Sequence, residues 1–448
     1  MLSKSKYTRG INCRKSLWLY VHKKDARIVD YSTQAVFASG INIGELARQY
    51  FPNGKMAVLE DYPNYESAKR TQEYIAQGIE TIYEATFIYD NTLVAVDILH
   101  KNQGKWCIYE VKSTNSTKPV HIKDVAVQYF VVKGSGLILE DACLMHLNRN
   151  YVRRGNINVN ELFVSESVML QILPIQEEIA SNITVFQQML KSEEPNIEMG
   201  EYCTSPYSCD FYNYCSNLIP VVKEKIIELS SKPDVLQNEV NSFVNCVEYP
   251  VCHLDFETIM PAIPMFDESR PHQQIPFQYS LHFQETKGGE LKHSFYLAEN
   301  NLNIDPRKDL IRQMIHETNG AKTIFVYNIV FERSRINEMS RDFPEYSKEL
   351  QHINERLVDL IIPFRKKYYR TETMQGSSSI KKVLPALCPE FSYKELEIGN
   401  GMDASNSFHN LYYCEDKKVI EKTRDNLLKY CHLDTLAMVK IFEVLQKV

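Results

Sequence analysis

The sequence predicts an α/β protein built in two halves, and three observations carry that expectation. In the first half, strand-like runs lead into an apolar helix. In the second, strands and helices interleave. Between them lie a cysteine-rich stretch and a charged, broadly helical segment. Strands alternating with helices imply α/β architecture in both halves. At roughly 100–200 residues per domain, a chain of 448 residues has room for two or three. The expected limits are 1–220 for the first domain, 221–245 for a helical linker and 246–448 for the second domain.

In chain order, "ATFIYDNTLVAVDILHKNQGKWCIYEVKS" reads as consecutive strands, with the polar "HKNQGK" supplying a turn. "HIKDVAVQYFVVKGSG" follows as a helix ending at glycine. "GEYCTSPYSCDFYNYCSN" closes the first half, and "VVKEKIIELSSKPDVLQNEVNSFV" is the connector. The second half opens on "VCHLDFETI", a core strand. "PFQYSLHF", "HSFYLA" and "KTIFVYN" are further strands. "FERSRINEMSRDF" and "TRDNLLKYCHLDTLAMVKIFEVL" are helices.

Composition is ordinary for a globular protein, with 44% apolar, 24% charged and 11% aromatic residues. No apolar run approaches the roughly 20 residues of a membrane helix, and the opening residues lack the apolar stretch of a signal peptide. A cytoplasmic protein without a membrane partner is expected. The net charge of −6 gives no support to a wholly basic nucleic-acid binder but allows an enzyme with local basic grooves. Without an export signal, the 11 cysteines read as buried thiols or metal ligands rather than a disulfide framework.

"VCHLDFETI" sets a puzzle. Asp255 and Glu257 lie two residues apart in a strand, so they project from one face. Buried carboxylates cost several kcal/mol unless a hydrogen-bond network, a basic partner or a metal compensates them. Asp434 on the terminal helix, with Tyr430 one turn earlier, offers a third acid. Asn328 and Glu332 stand at a strand-to-helix junction. Acids from separate elements suit paired Mg²⁺ or Mn²⁺ ions, which favour oxygen ligands and phosphodiester cleavage.

The ordered motifs "LDFET", "YN-x-x-FE" and "YCHLD" resemble the DnaQ-like, RNase-H-fold 3′→5′ exonucleases over residues 250–448. By that resemblance Asp255, Glu257 and Asp434 are metal ligands and Tyr430 orients the attacking water. Glu332 stands where the family usually has Asp. It is the expected fourth acid, with Asp359 in "RLVDLI" as the alternative. "SSSIKKVLPAL" and the basic-aromatic "RKKYYR", Arg365 to Arg370, could contact a substrate backbone or form a solvated surface.

In the first half, Asp97 lies on one strand and Glu110 and Lys112 on the next. Two acids can hold a divalent cation, and a neighbouring lysine can orient or deprotonate water. This Asp…Glu-x-Lys arrangement resembles the PD-(D/E)XK nuclease superfamily; the alternative is an ion-paired structural lysine. The resemblance adds Glu45, on an upstream helix, as a further metal ligand. It adds Gln128 as the glutamine of the RecB-like branch. One early cysteine, Cys13, plus Cys203, Cys209 and Cys215 resembles the iron–sulfur members of that branch, which include the CRISPR-adaptation exonuclease. There four thiolates hold a 4Fe–4S cluster that clips the ends of the domain together. The even spacing of the last three cysteines keeps a zinc Cys₄ site as the competitor.

The chain as a whole resembles an uncharacterised bacterial family that joins these two modules: a restriction-endonuclease-like domain followed by an RNase H-like mixed-sheet domain. The resemblance implies a metal-dependent nuclease acting on DNA, single-stranded or at ends. An RNA-trimming exonuclease and a nucleic-acid-binding scaffold with inactive sites are the alternatives.

Overall fold

A computed structural model describes residues 1–28, 43–204, 208–217 and 233–448. The protein is mixed α/β and divides into two compact units, one built on Met1–Lys223 and the other on Glu224–Pro261 and Gln273–Val448. Residues 221–232 of the connector predicted at 221–245 lie outside the described residues. Its described end forms the helix Gln237–Asn245.

The first unit has a seven-stranded mixed sheet. The strands are β1 (Leu2–Ser3), β2 (Lys55–Met56), β3 (Thr81–Tyr89), β4 (Thr92–Asn102), β5 (Lys105–Lys112), β6 (Leu139–Leu147) and β7 (Phe163–Ser167). β3, β4 and β5 form an antiparallel meander with two-residue turns. All four turn residues have positive φ: Asp90 and Asn91, then Gln103 and Gly104. That is the geometry that matches strand twist in tight hairpins. The helix Pro119–Gly134 then crosses over, so that β6 pairs parallel to β5. Its apolar residues, Val125, Val127, Val131 and Val132, are buried in the sheet's core with Leu17 and Phe186. β1 pairs parallel to the start of β4, which brings the helix Lys4–Asn12 to the same end of the sheet.

The second unit adds a two-stranded ribbon of β8 (Asp234–Val235) and β14 (Tyr369–Arg370) to a five-stranded mixed sheet. The strands of that sheet are β9 (Val251–Ile259), β10 (Ile275–Gln284), β11 (Leu291–Leu297), β12 (Thr323–Val326) and β13 (Leu357–Asp359), in the order β11-β10-β9-β12-β13. β9, β10 and β11 are antiparallel; β12 and β13 run parallel to β9. β9 is central. Cys252, Leu254 and Phe256 enter one apolar cluster and Val251 another. Burying Leu254 and Phe256 contributes about 1.5–3 kcal/mol each, which anchors the strand that carries the two acids. The 29-residue helix Lys417–Leu445 packs along β9 and β10.

Candidate functional sites

In the second unit, four carboxylates converge. Asp255 and Glu257 come from β9, Glu332 from the first turn of the helix Ile329–Asp342, and Asp434 from the terminal helix. Glu257, Glu332 and Asp434 are buried, at 6%, 2% and 7% exposure. Burial first, then Asp434, Glu257 and Glu332, pushes the proton affinity of Asp255 well above the carboxylate range. Burial, Asp434 and Glu332 do the same to Glu257, against the opposing charge of Lys381. Burial also raises Asp434, opposed by hydrogen bonds from Tyr393 and Tyr430 and by Lys381. The Tyr393 hydroxyl donates to Asp434 Oδ1 at 2.6 Å.

Glu332 and Asp359 take different roles. Asp359 Oδ1 accepts the backbone N–H of Asn328 at 3.0 Å and of Ile361 at 3.2 Å. It thereby holds Asn328 in the left-handed conformation, φ 84°, that turns β12 into the following helix. Glu332 Oε2 is buried and has no hydrogen-bond partner among the described residues. Its carboxyl is raised by burial and by Asp359.

Three residues at this site escaped sequence reasoning. Cys431 lies 3.9 Å from Asp255 Oδ2, and burial with Asp255 and Glu257 keeps it a neutral thiol. Tyr393 comes from a stretch with no periodic pattern. Lys381, in "SSSIKKVLPAL", is turned inward rather than solvated. Its Nζ donates to the Gly399 carbonyl at 2.6 Å and sits 5.2 Å from the Tyr430 ring centre. In "RKKYYR", Arg370 is ion-paired to Asp234, while Arg365 donates to Asn328 Oδ1 at 3.5 Å.

The first unit gathers Asp97, Glu110, Lys112 and Gln128. Asp97 follows the last ladder pair of β4 and β5, Ile98 with Tyr109, and its Oδ2 accepts the Val111 N–H at 2.6 Å. Glu110, at 2% exposure, accepts from Lys112 Nζ at 2.9 Å, Gln128 Nε2 at 2.6 Å and Lys4 Nζ at 2.6 Å. Lys112 also donates to Asp124 Oδ2 at 2.6 Å. Burial works against the charge of Glu110, but Lys4 and Lys112 outweigh it and hold the carboxyl low. Asp97 moves the other way: burial, Glu110 and Glu84 raise it. Lys4, Asp124 and Glu84 were not foreseen. Glu84 occupies a left-handed position in β3, φ 52°, and pairs with Arg48 at 3.2 Å. Glu45 lies on the same helical stretch as Arg48 but is exposed. Among the described residues it is Glu84, not Glu45, that adds an acid beside Asp97 and Glu110.

Cys13, Cys203, Cys209 and Cys215 come together at the amino-terminal helices. Burial raises the thiols of Cys13 and Cys215, and to a lesser extent so do Cys209 and Cys203 at Cys13 and the other three cysteines at Cys215. Arg9 forks onto Asp210 at 2.7 and 2.9 Å, and Arg27 meets the same carboxylate at 2.5 Å. Trp18 Nε1 donates to the Ser192 carbonyl at 2.9 Å. These bonds tie residues 9–27 to residues 192–210. Arg9→Ala, which removes the two-pronged partner of Asp210 and leaves Arg27 alone on it, is expected to cost about 2 kcal/mol. It should lower the thermal midpoint by roughly 4–8 °C, read by scanning calorimetry; an unchanged midpoint would remove the ion pair from any clipping role.

Comparison with known proteins finds a match to a domain of unknown function, DUF2779, over residues 252–379. That span holds Asp255, Glu257 and Glu332 but not Asp434. The chain is similar to the "uncharacterized protein MG366 homolog" of Mycoplasma pneumoniae, 30% identical over 42% of this chain and 31% of that protein. It is also similar to "uncharacterized protein MG366" of Mycoplasma genitalium, 27% identical over 48% of this chain and 35% of the relative. "Uncharacterized protein UU173" of Ureaplasma parvum is 29% identical over 44% and 31%. The matched region spans about a third of the length of these curated relatives.

Proposed function

We propose that this protein is a metal-dependent nuclease that hydrolyses the phosphodiester bonds of DNA, single-stranded or at ends, and trims 3′ termini with its second unit. The observation that carries this reading is the convergence of Asp255, Glu257, Glu332 and Asp434. Glu257, Glu332 and Asp434 are buried and Asp255 is half-buried, their charges repel, and Glu332 Oε2 lacks a partner among the described residues. Such a cluster is costly as four anions and is relieved by cations. The all-oxygen donor set fits Mg²⁺ or Mn²⁺. A sheet of antiparallel β11-β10-β9 followed by parallel β12 and β13 also agrees with the RNase H-like, DnaQ-like resemblance.

When bound, a pair of such ions supplies charge stabilisation to the attacking and leaving oxygens. The chain's own side chains do the remainder. Tyr393 hydrogen-bonds Asp434 and fixes its rotamer, and the DnaQ-like resemblance gives Tyr430, one turn before Asp434, the role of orienting the attacking water. Lys381 favours the ionised forms of Glu257 and Asp434. Asp359 holds the strand-to-helix turn that aims Glu332 inward.

In the first unit, the Asp97, Glu110, Lys112 and Gln128 arrangement supports a PD-(D/E)XK-like site. The four gathered thiols suit a 4Fe–4S cluster, with zinc as the competitor. One observation favours a second reading for this unit. Glu110 already has two ammonium groups, from Lys4 and Lys112, so its charge is compensated without a metal. A unit that grips nucleic acid while the other cuts fits that balance. Anaerobic purification is expected to give a coloured protein with about four irons per chain. A colourless protein with stoichiometric zinc would remove the cluster.

The test is a cleavage assay on 5′- and 3′-labelled single-stranded DNA and RNA in Mg²⁺ and in Mn²⁺. It compares wild type, Lys112→Ala, Asp255→Ala and the double variant. Loss of 3′ trimming in Asp255→Ala alone places the chemistry at the second unit's acids. Loss in Lys112→Ala alone moves it to the first. Preference for RNA replaces the DNA reading, and binding without cleavage of any substrate replaces both with a scaffold.

A further inference from the structure

Beside the acid cluster, the second unit holds another group of metal-ligand side chains. His282 on β10 and His293 on β11 are direct ladder partners, and His432 comes from the terminal helix. Their ring centres are 4.6, 4.9 and 4.3 Å apart. One ligand atom from each lies within 4.8 Å of the other two. His282 is buried, His432 half-buried and His293 exposed, so an ion could enter from solvent.

The surrounding hydroxyls set which ring nitrogens carry the proton. Thr435 Oγ1 donates back to its own helix, to the His432 carbonyl at 3.1 Å. It is then left to accept from His282 Nδ1 at 2.9 Å and from Ser280 Oγ at 2.7 Å. Ser280 Oγ, having given its proton to Thr435, accepts from His293 Nε2 at 2.9 Å. That network is satisfied with His282 protonated on Nδ1 and His293 on Nε2. His282 Nε2 and His293 Nδ1 therefore keep bare lone pairs. Metal-ligating histidines are commonly fixed by a hydrogen bond to the other ring nitrogen in this way. Neutral imidazoles are what a metal needs.

We propose that His282, His293 and His432 form a transition-metal site that takes Zn²⁺. The ion would tie β10 and β11 to the terminal helix and leave a fourth position open to solvent. Three imidazoles with an open position are an established zinc geometry, and nitrogen donors select Zn, Cu, Fe or Ni over the Mg²⁺ and Mn²⁺ that suit carboxylates. The site stands independently of the nuclease reading, because it uses none of the four acids.

The experiment is a Zn²⁺ titration of the full chain, stripped by a chelator, against a chromophoric competitor. The gathered cysteines also offer thiolates to added zinc, so the readout is the difference between variants. Wild type is expected to hold one more tight equivalent than His293→Ala and His432→Ala, or to hold it at least about 100-fold more tightly. Thr435→Val, which removes the acceptor for His282 Nδ1, is expected to weaken that equivalent by about 10- to 100-fold. His293 is exposed, so His293→Ala decides the matter if His432→Ala fails to fold by circular dichroism. Equal stoichiometry and affinity in wild type and His293→Ala would overturn the proposal. So would loss of the same equivalent in Asp255→Ala, which would assign it to the acids.

Discussion

Asp255→Asn is expected to abolish 3′-end trimming and, in chelator, to make the protein more stable. The two effects share one cause. Asp255 lies within the field of Asp434, Glu257 and Glu332, and each acid raises the cost of ionising it. Removing one potential anion relieves that repulsion. A gain of about 1 kcal/mol, or roughly 2–4 °C in thermal midpoint, should appear when the full chain is scanned with chelator present. Saturating Mn²⁺ should reverse the order. At about 100 times its dissociation constant a ligand stabilises by about 2.7 kcal/mol, and wild type gains this while the variant does not. Loss of a metal-binding carboxylate worth ~4 kcal/mol in the transition state is about a thousandfold in rate. If Asp255→Asn destabilises the metal-free protein, the cluster is not electrostatically strained and the metal reading loses its physical basis.

The metal-free second unit should lose stability as pH rises from about 4 to about 8. Burial and neighbouring charge raise Glu332 to about 8 and Asp434 to about 6, and hold Asp255 and Glu257 well above the usual range. In the unfolded chain these groups titrate near 4. Between those values the native state binds more protons than the unfolded one, so the slope of unfolding free energy with pH is negative. The stabilisation is complete below about pH 4 and is lost as each folded-state value is passed. Glu110 has the opposite sign. Its carboxyl is held low, so its contribution is kept above about pH 4 and lost on acidification. Calorimetry at pH 3, 5, 6, 7 and 8, with and without Mn²⁺, separates these terms. Mn²⁺ should turn the slope positive, because carboxylates must be deprotonated to bind it. Glu332→Gln should flatten the chelator curve; a slope unchanged by that substitution would remove Glu332 from the cluster.

Much of this was legible in the sequence because it follows from short-range periodicity. Strand alternation puts Asp255 and Glu257 on one face. Helical spacing puts Tyr430 under Asp434. The turn between β4 and β5 brings Asp97 to Glu110. Features that depend on distant or irregular backbone were not legible. Lys4 reaches Glu110 across 106 positions because β1 docks on β4. Glu84 joins Asp97 only because β3 kinks there into positive φ. Lys381 lies in the first turn of the short helix Ile380–Leu387 and Tyr393 in the irregular stretch after it, so no single period links the two. The choice between Glu332 and Asp359 turned on two backbone N–H groups, at Asn328 and Ile361, which no side-chain pattern reveals.

The terminal helix carries Tyr430, Cys431, His432, Asp434 and Thr435 within two turns. Tyr430 and Asp434 serve the acids, and His432 and Thr435 serve the histidines. One residue of an α-helix is about 100° of rotation. A deletion or insertion of a single residue between the helix's amino-terminal packing contacts and Tyr430 would therefore swing both sets away together. This segment should accept many replacements at its exposed positions and almost no change of length. Variation among relatives there should be substitutional, with gaps confined to the loop before Lys417.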